Sequence, residues 1–197
     1  MLDADADPAI DGSADTLRIS DTRHDFGFLM VAGSADFAAT VTNTGSAPTG
    51  AIGVTSTDTN GHFEVLASST CGPPLQAAES CELRLRFHPQ LAGPKTATIT
   101  ASALPGGQVR VLLDGVANGV IQVDKRGTGT GVVQSNPAGI NCGAVCSATF
   151  AVPSVTLNAT ANPGNQIDSS GTCGSSTSCT IDLSAASRTV VFSFSPM

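Results

Sequence analysis

The six cysteines of this chain fall into three close pairs, and this spacing restricts the possible folds more than any other feature. The pairs are Cys71 with Cys81, Cys142 with Cys146, and Cys173 with Cys179. A disulfide needs its two Cα atoms within about 7 Å of each other, so the chain must reverse inside each pair. Glycine follows the first cysteine of every pair and favours such a reversal. We therefore predict three local disulfides and an oxidising compartment.

A structural zinc site is the alternative use of four of these thiols. Cys142, Cys146, Cys173 and Cys179 could together supply a four-thiolate site. Zinc-binding pairs usually have about two to four residues between the ligands, whereas the gaps here are three and five residues. The three histidines all precede Cys142, so none could serve as a ligand from this half of the chain. The spacing favours disulfides over zinc, and we expect no metal and no cofactor.

The charge distribution argues against nucleic acid as a partner. The net charge is −7, from 9 basic and 16 acidic residues, and five of the acids precede Thr16. A nucleic-acid-binding protein would need a basic patch, which this sequence lacks. No apolar run approaches the roughly 18 residues of a transmembrane helix. No signal peptide is visible either, and the cysteines lead us to expect that an export signal has been removed.

Residues 1–15 are predicted to be an acidic disordered tail. Their Asp3-x-Asp5-x-Asp7 pattern resembles the start of a calcium loop. Such a loop needs glycine at its sixth position and glutamate at its twelfth, but these positions hold Pro8 and Ala14. An acidic linker is therefore favoured, and calcium binding is left as an alternative.

Residues 16–117 show the alternation of an antiparallel sheet with one buried face. Between Cys81 and His88, apolar residues alternate strictly with polar ones, at Leu83, Leu85 and Phe87. Similar alternation recurs several times, separated by Asn- and Gly-containing turns. About seven strands in 100 residues predict a β-sandwich.

Several short motifs extend this prediction in the same order along the chain. They are Asp25-Phe26-Gly27, Val41-Thr42-Asn43-Thr44-Gly45, Thr70-Cys71, Ser80-Cys81, Phe87-His88-Pro89 and Leu113-Asp114-Gly115-Val116-Ala117. With them, residues 16–117 resemble the immunoglobulin-like domain of the Hydin and abnormal-spindle group, common in bacterial surface proteins. The resemblance implies an immunoglobulin-like sandwich in which the Cys71–Cys81 bridge holds the loop before an inner strand. It implies no enzyme activity, because proteins of this group serve as envelope, appendage or scaffold components.

The composition changes after Asn118-Gly119, where we predict a hinge. Residues 120–197 are rich in Gly, Ser, Thr and Asn and carry few charges, and they form the second predicted domain. The segments at 127–133, 135–140, 155–161 and 190–194, with the two cysteine pairs, resemble a divergent internalin-B-type repeat over residues 120–196. This resemblance implies a small β-grasp-like module of bacterial cell-surface proteins. Many such repeats carry a Gly-Trp pair where this chain has residues 166–170, so the sequence predicts a core without an aromatic anchor and a greater dependence on disulfides.

No residue pattern indicates catalysis. None of His24, His62 and His88 lies in the Gly-x-Ser-x-Gly context of a nucleophile, and each is predicted to be a surface histidine. Glu64, Glu79 and Glu82 could serve a glycosidase by residue type alone, but exposed aromatic residues to stack on sugar rings are scarce. We therefore expect that this chain is not an enzyme, although a hydrolase remains an alternative.

The sequence predicts an all-β, non-enzymatic structural or adhesive module of a bacterial cell-envelope or secreted protein. Its partner would be a protein of the envelope or of an appendage, met outside the cell, in the periplasm or at the cell surface. The predicted contact region is the loop from Gly72 to Ser80, with these candidate residues: Gly72, Pro73, Pro74, Gln76 and Glu79. The alternatives are a ligand- or carbohydrate-binding module of a secreted protein and a calcium-stabilised adhesin segment.

Overall fold

The computed structural model describes residues 16–169 and 171–197, and within them every regular element is a β-strand. The predicted tail, residues 1–15, lies outside the described residues. The strands are β1 Leu17–Ile19, β2 Arg23–Met30, β3 Ala35–Asn43, β4 Gly53–Ser56, β5 Phe63–Val65, β6 Ser80–Phe87, β7 Gly93–Ala103, β8 Gly107–Arg126, β9 Gly131–Asn136, β10 Ser147–Phe150, β11 Ser154–Ala161, β12 Asn165–Asp168, β13 Ser178–Asp182 and β14 Ser187–Pro196. In the part of the chain that the structure describes, no helix is long and apolar enough to cross a membrane.

The described residues form three sheets. Sheet I has the strand order β1-β3-β6-β5 and sheet III the order β13-β11-β9, and both are antiparallel. Sheet II has the order β12-β14-β8-β7-β4, and strands β2 and β10 also pair with β8. The all-β class with an immunoglobulin-like sandwich, predicted from the sequence, is confirmed.

The first part of the molecule, residues 16–117, forms a sandwich. Its core lies between sheet I and the strands β2, β4, β7 and the first half of β8 in sheet II. Strand β6 buries Cys81, Leu83, Leu85 and Phe87, while the residues between them are more exposed, as the alternation predicted. From sheet II the core receives Ile99 of β7 together with alternate residues of β8. Burying one face of each sheet against the other removes the apolar side chains from water and stabilises the sandwich.

Strand β8 runs without a break from the first part into the second part, residues 120–197. Leu112 N donates to Thr22 O near β2, and Val120 N donates to Ala186 O near β14. These two residues are an even number of positions apart, so β2 and β14 lie along the same edge of β8. The predicted hinge is absent, because Asn118 pairs with Met30 and Gly119 pairs with Phe150 inside this strand. The division into domains 16–117 and 120–197 stays a prediction.

The second core lies between sheet III and the second half of β8 with its neighbours β10 and β14. It contains Phe150, Phe192 and Phe194, and the last two are almost completely buried. The expectation of a core without an aromatic anchor was therefore wrong. Strand β14, at the end of the chain, supplies the large rings that the 166–170 segment does not. Three residues of the first part also belong to this core, namely Val31, Ala92 and Ala117.

Candidate interaction surfaces

All six cysteines form the three predicted local disulfides. The Cα–Cα distances are 5.1 Å for Cys71–Cys81, 4.3 Å for Cys142–Cys146 and 5.8 Å for Cys173–Cys179. The four thiols considered for zinc are therefore paired with their near neighbours. Among residues 16–169 and 171–197, no group of three or more His, Cys, Asp or Glu side chains could hold a metal ion.

The predicted contact loop, Gly72 to Ser80, is tied to the sandwich by a buried leucine. Leu75 is 4% exposed and belongs to the first core. Its amide donates to Thr49 Oγ1 at 3.0 Å, and its carbonyl accepts from Thr49 N, also at 3.0 Å. The middle of the loop is thus held from inside by both packing and hydrogen bonds.

Asn43 at the end of β3 secures the same loop. Its side chain is fully buried, and its Nδ2 lies 2.8 Å from Ala47 O, 3.1 Å from Leu75 O and 3.2 Å from Gln76 O. Its Oδ1 accepts from Gly45 N at 3.0 Å. One buried amide therefore satisfies carbonyls of two neighbouring loops, which would otherwise carry a desolvation cost.

The five candidate residues of this loop divide into two kinds. Gly72 and Glu79 hold the loop together, since Gly72 O accepts from Ile52 N at 2.8 Å and Glu79 Oε2 accepts from Gln76 N at 2.7 Å. The side chains of Pro73, Pro74 and Gln76 are exposed. The structure thus leaves these three available to a partner, and their contact with one stays a prediction.

The three histidines, predicted to lie at the surface, are all partly exposed, and each holds fixed contacts. The ring of His24 stacks on Phe37 with a centroid distance of 3.8 Å and an interplanar angle of 10°. His62 Nδ1 accepts from Gln90 N at 3.2 Å, and His88 Nδ1 lies 2.9 Å from Gly33 O, to which it can donate. Each ring thus joins two segments of the first part that are distant in the sequence.

A cleft of about 670 Å³ lies where the loops of the first part meet Pro153. Asp58, His62 and Lys95 line it. Burial lowers the pKa of Lys95. Burial also lowers the pKa of His62, and the positive charge of Lys95 lowers it further. The negative charge of Asp58 opposes both shifts. The two carboxylate oxygens of Asp58 accept from backbone amides, and Lys95 Nζ donates to Ala92 O at 3.1 Å. The cleft is thus lined by groups that already stabilise its own loops.

Sequence reasoning missed the exposed apolar residues on strand β2. Phe26 and Phe28 are two positions apart and would share one face of a regular strand. The pairing of β2 with β8 shifts register between Asp25 and Phe28, and Gly27 in this bulge has a φ of +67°. Phe26 therefore packs against the core, whereas Phe28 is 75% exposed. The glycine between the two phenylalanines was the available signal.

No family model and no curated protein matches this sequence. Among solved structures, the chain is similar to the Bacillus anthracis TIE protein, with a TM-score of 0.53 and 7% identity over 92% of this chain and 40% of that one. It also matches the ASH/PapD-like domain 7 of human CEP192, with a TM-score of 0.43 and 14% identity over 56% of this chain and 90% of that domain.

A further match is the secreted serine protease VesC from Vibrio cholerae, with a TM-score of 0.43 and 14% identity over 88% of this chain and 45% of that one. The chain thus spans less than half the length of the TIE and VesC proteins. At these identities, the likeness to the TIE protein concerns the fold alone.

Proposed function

We propose that this chain is a non-enzymatic structural or adhesive module of an exported bacterial protein, and that it acts by binding another protein. The carrying observation is the Gly72–Ser80 loop, which the Cys71–Cys81 bridge closes and Leu75 anchors from inside. A loop ordered before binding loses less conformational entropy when a partner docks. The three disulfides are typical of an oxidising compartment and support an envelope or secreted location.

The resemblance of residues 120–196 to an internalin-B-type surface repeat belongs to the same proposal. Sheet III and two disulfides make this part β-rich and cross-linked. Its role would be to present the sandwich at the right distance from the rest of a surface assembly.

The test is capture of a native partner from an envelope extract, quantified by mass spectrometry, with the intact chain and with a loop variant. The variant combines Pro73→Ala, Pro74→Ala and Gln76→Ala, which change exposed side chains and leave the buried anchors in place. We expect at least tenfold less partner with the loop variant and an unchanged melting temperature.

The matched control changes another disulfide-closed loop, with Ser175→Ala and Thr177→Ala between Cys173 and Cys179. This control should capture as much partner as the intact chain. Equal capture by all three proteins would reject the loop as the contact region. Hydrolysis of esters, peptides or glycans by the purified chain would reject the hypothesis that it is not an enzyme.

A further inference from the structure

The outer face of sheet II, which points away from the first core, carries an apolar row whose two ends, Phe28 and Pro94, are exposed. The row runs across three strands, because Phe28 of β2 pairs with Val116 of β8, and Val116 pairs with Pro94 of β7. Phe28 is 75% exposed, and its neighbour along β2, Met30, is 39% exposed. The other seven phenylalanines are buried or half-buried. An aromatic ring left in water among apolar neighbours is typical of a protein-binding surface.

An acidic row lies directly beside the apolar one. Asp25 of β2 pairs with Asp114 of β8, so the two carboxylates are neighbours on this face. Among the described residues, Arg23 supplies a counter-charge, with its Nε 2.9 Å from Asp114 Oδ2. This contact lacks hydrogen-bond geometry, and Asp114 Oδ2 is a buried oxygen without a hydrogen-bond partner among the described residues. Two carboxylates with one guanidinium leave about one negative charge next to Phe28.

We propose that this face binds a segment of another protein in which an apolar side chain stands next to a lysine or arginine. The apolar side chain would cover Phe28 and Val116, and the cation would meet Asp25 and Asp114. The inference rests on the proposed function, that the chain acts by binding protein, and it names the chemistry of the partner.

The charge of this face favours a basic protein segment over a second copy of the chain or a lipid surface. A second copy would bring the same acidic row and a net charge of −7, so the two faces would repel each other. An anionic lipid surface would be repelled for the same reason. A basic and apolar protein segment satisfies both rows at once.

The test uses a phage-displayed library of random 12-residue peptides, selected on the immobilised full chain. We expect the enriched peptides to carry Lys or Arg within three positions of a large apolar residue. Binding of the corresponding synthetic peptides should weaken at least tenfold with Phe28→Ser and several-fold with Asp25→Asn. The asparagine keeps an oxygen that can accept from Gly27 N, as Asp25 Oδ1 does at 2.8 Å, so it removes charge and preserves the bulge.

Leu104→Ser is the matched control, since Leu104 is 87% exposed in the turn between β7 and β8, outside the apolar row. It should leave peptide binding unchanged, and all three variants should melt like the parent chain. Enrichment of acidic peptides, or no peptide that depends on Phe28, overturns the inference. So does sedimentation showing a dimer that Phe28→Ser dissociates.

The binding experiments distinguish a failure of this inference from a failure of the proposed function. Peptides that lose binding in the Pro73, Pro74 and Gln76 variant but keep it in Phe28→Ser would overturn the inference and leave the contact loop in place. Peptides that lose binding in Phe28→Ser but keep it in the loop variant would support the inference, even where the loop variant captures its native partner normally.

Discussion

The two parts of this molecule share strand β8 but fill their cores in different ways. The first part packs a cluster of rings within itself, with centroid distances of 4.7 Å for Phe63–Phe87 and 5.5 Å for Phe26–Phe87. The second part combines its own phenylalanines with two short disulfides and takes Val31 and Ala92 from loops of the first. From this difference we expect the sandwich to fold alone and the second part to need both its bridges and its neighbour.

Separating the two parts should have the largest effect. A fragment of residues 16–117 keeps both faces of its sandwich and should unfold cooperatively. A fragment of residues 120–197 loses Val31, Ala92 and Ala117 from its core and should show no cooperative transition. Because the chain has no Trp or Tyr, calorimetry is the suitable measurement. Cooperative melting of the 120–197 fragment would show that the second core is self-sufficient.

Removing disulfides should have the next largest effect, and it should be unequal. On the chain-entropy model each of these short loops contributes roughly 2–3 kcal/mol. Replacing all four cysteines of the second part by alanine should therefore cost about 4–5 kcal/mol, against roughly 3 kcal/mol for Cys71 and Cys81. Guanidinium unfolding followed by circular dichroism measures both. An equal loss in the two variants would contradict the dependence of the second part on its bridges.

Gly115 in the first part and Gly131 in the second part each face a buried ring, and replacing either glycine should have an intermediate effect. A Cβ on Gly115 would lie 2.6 Å from the ring of Phe87, and a Cβ on Gly131 would meet the ring of Phe194 even more closely. We expect Gly115→Ala and Gly131→Ala to lower the free energy of unfolding by about 1–3 kcal/mol each, the second more than the first. Denaturant titration measures both.

Gly72→Ala and Gly143→Ala are the controls for this pair, one in each part. A Cβ at either position would meet nothing within 4 Å, and neither residue has a positive φ. Both should stay within about 0.5 kcal/mol of the parent chain. Losses in the controls as large as those at Gly115 and Gly131 would mean that ring contact is not the cause.

The smallest expected effect is a pH dependence of the stability of the first part. Arg86 pairs with Asp36 through two contacts, of 2.7 and 2.9 Å, and lowers the pKa of Asp36 below its usual 3.8. A carboxyl with a lowered pKa in the folded state adds stability above pH 3.8, and this stability is lost as the pH falls further. Asp36→Asn should therefore melt slightly lower than the parent at pH 7 and alike at pH 2. A constant difference between pH 7 and pH 2 would contradict this.

Local patterns predicted much of the fold and part of the candidate site. The cysteine spacing predicted the bridges because short loops admit only near partners, and the alternation around Leu83 predicted which face of β6 is buried. The sequence could not show that Leu75 and Asn43 anchor the contact loop. That network joins residues 32 positions apart, and no local spacing reports such a contact.

The amino-acid sequence by itself determined the all-β class and the three disulfides, because both follow from contacts between near neighbours and from period-two alternation. Only the tertiary structure decided that β8 is continuous through Asn118-Gly119, since its partners β2 and β14 come from distant parts of the chain. It also decided that Phe28 faces outward, because an extra residue in the pairing of β2 with β8 turns the strand over. Long-range strand pairing, which no local pattern encodes, is the physical reason for both.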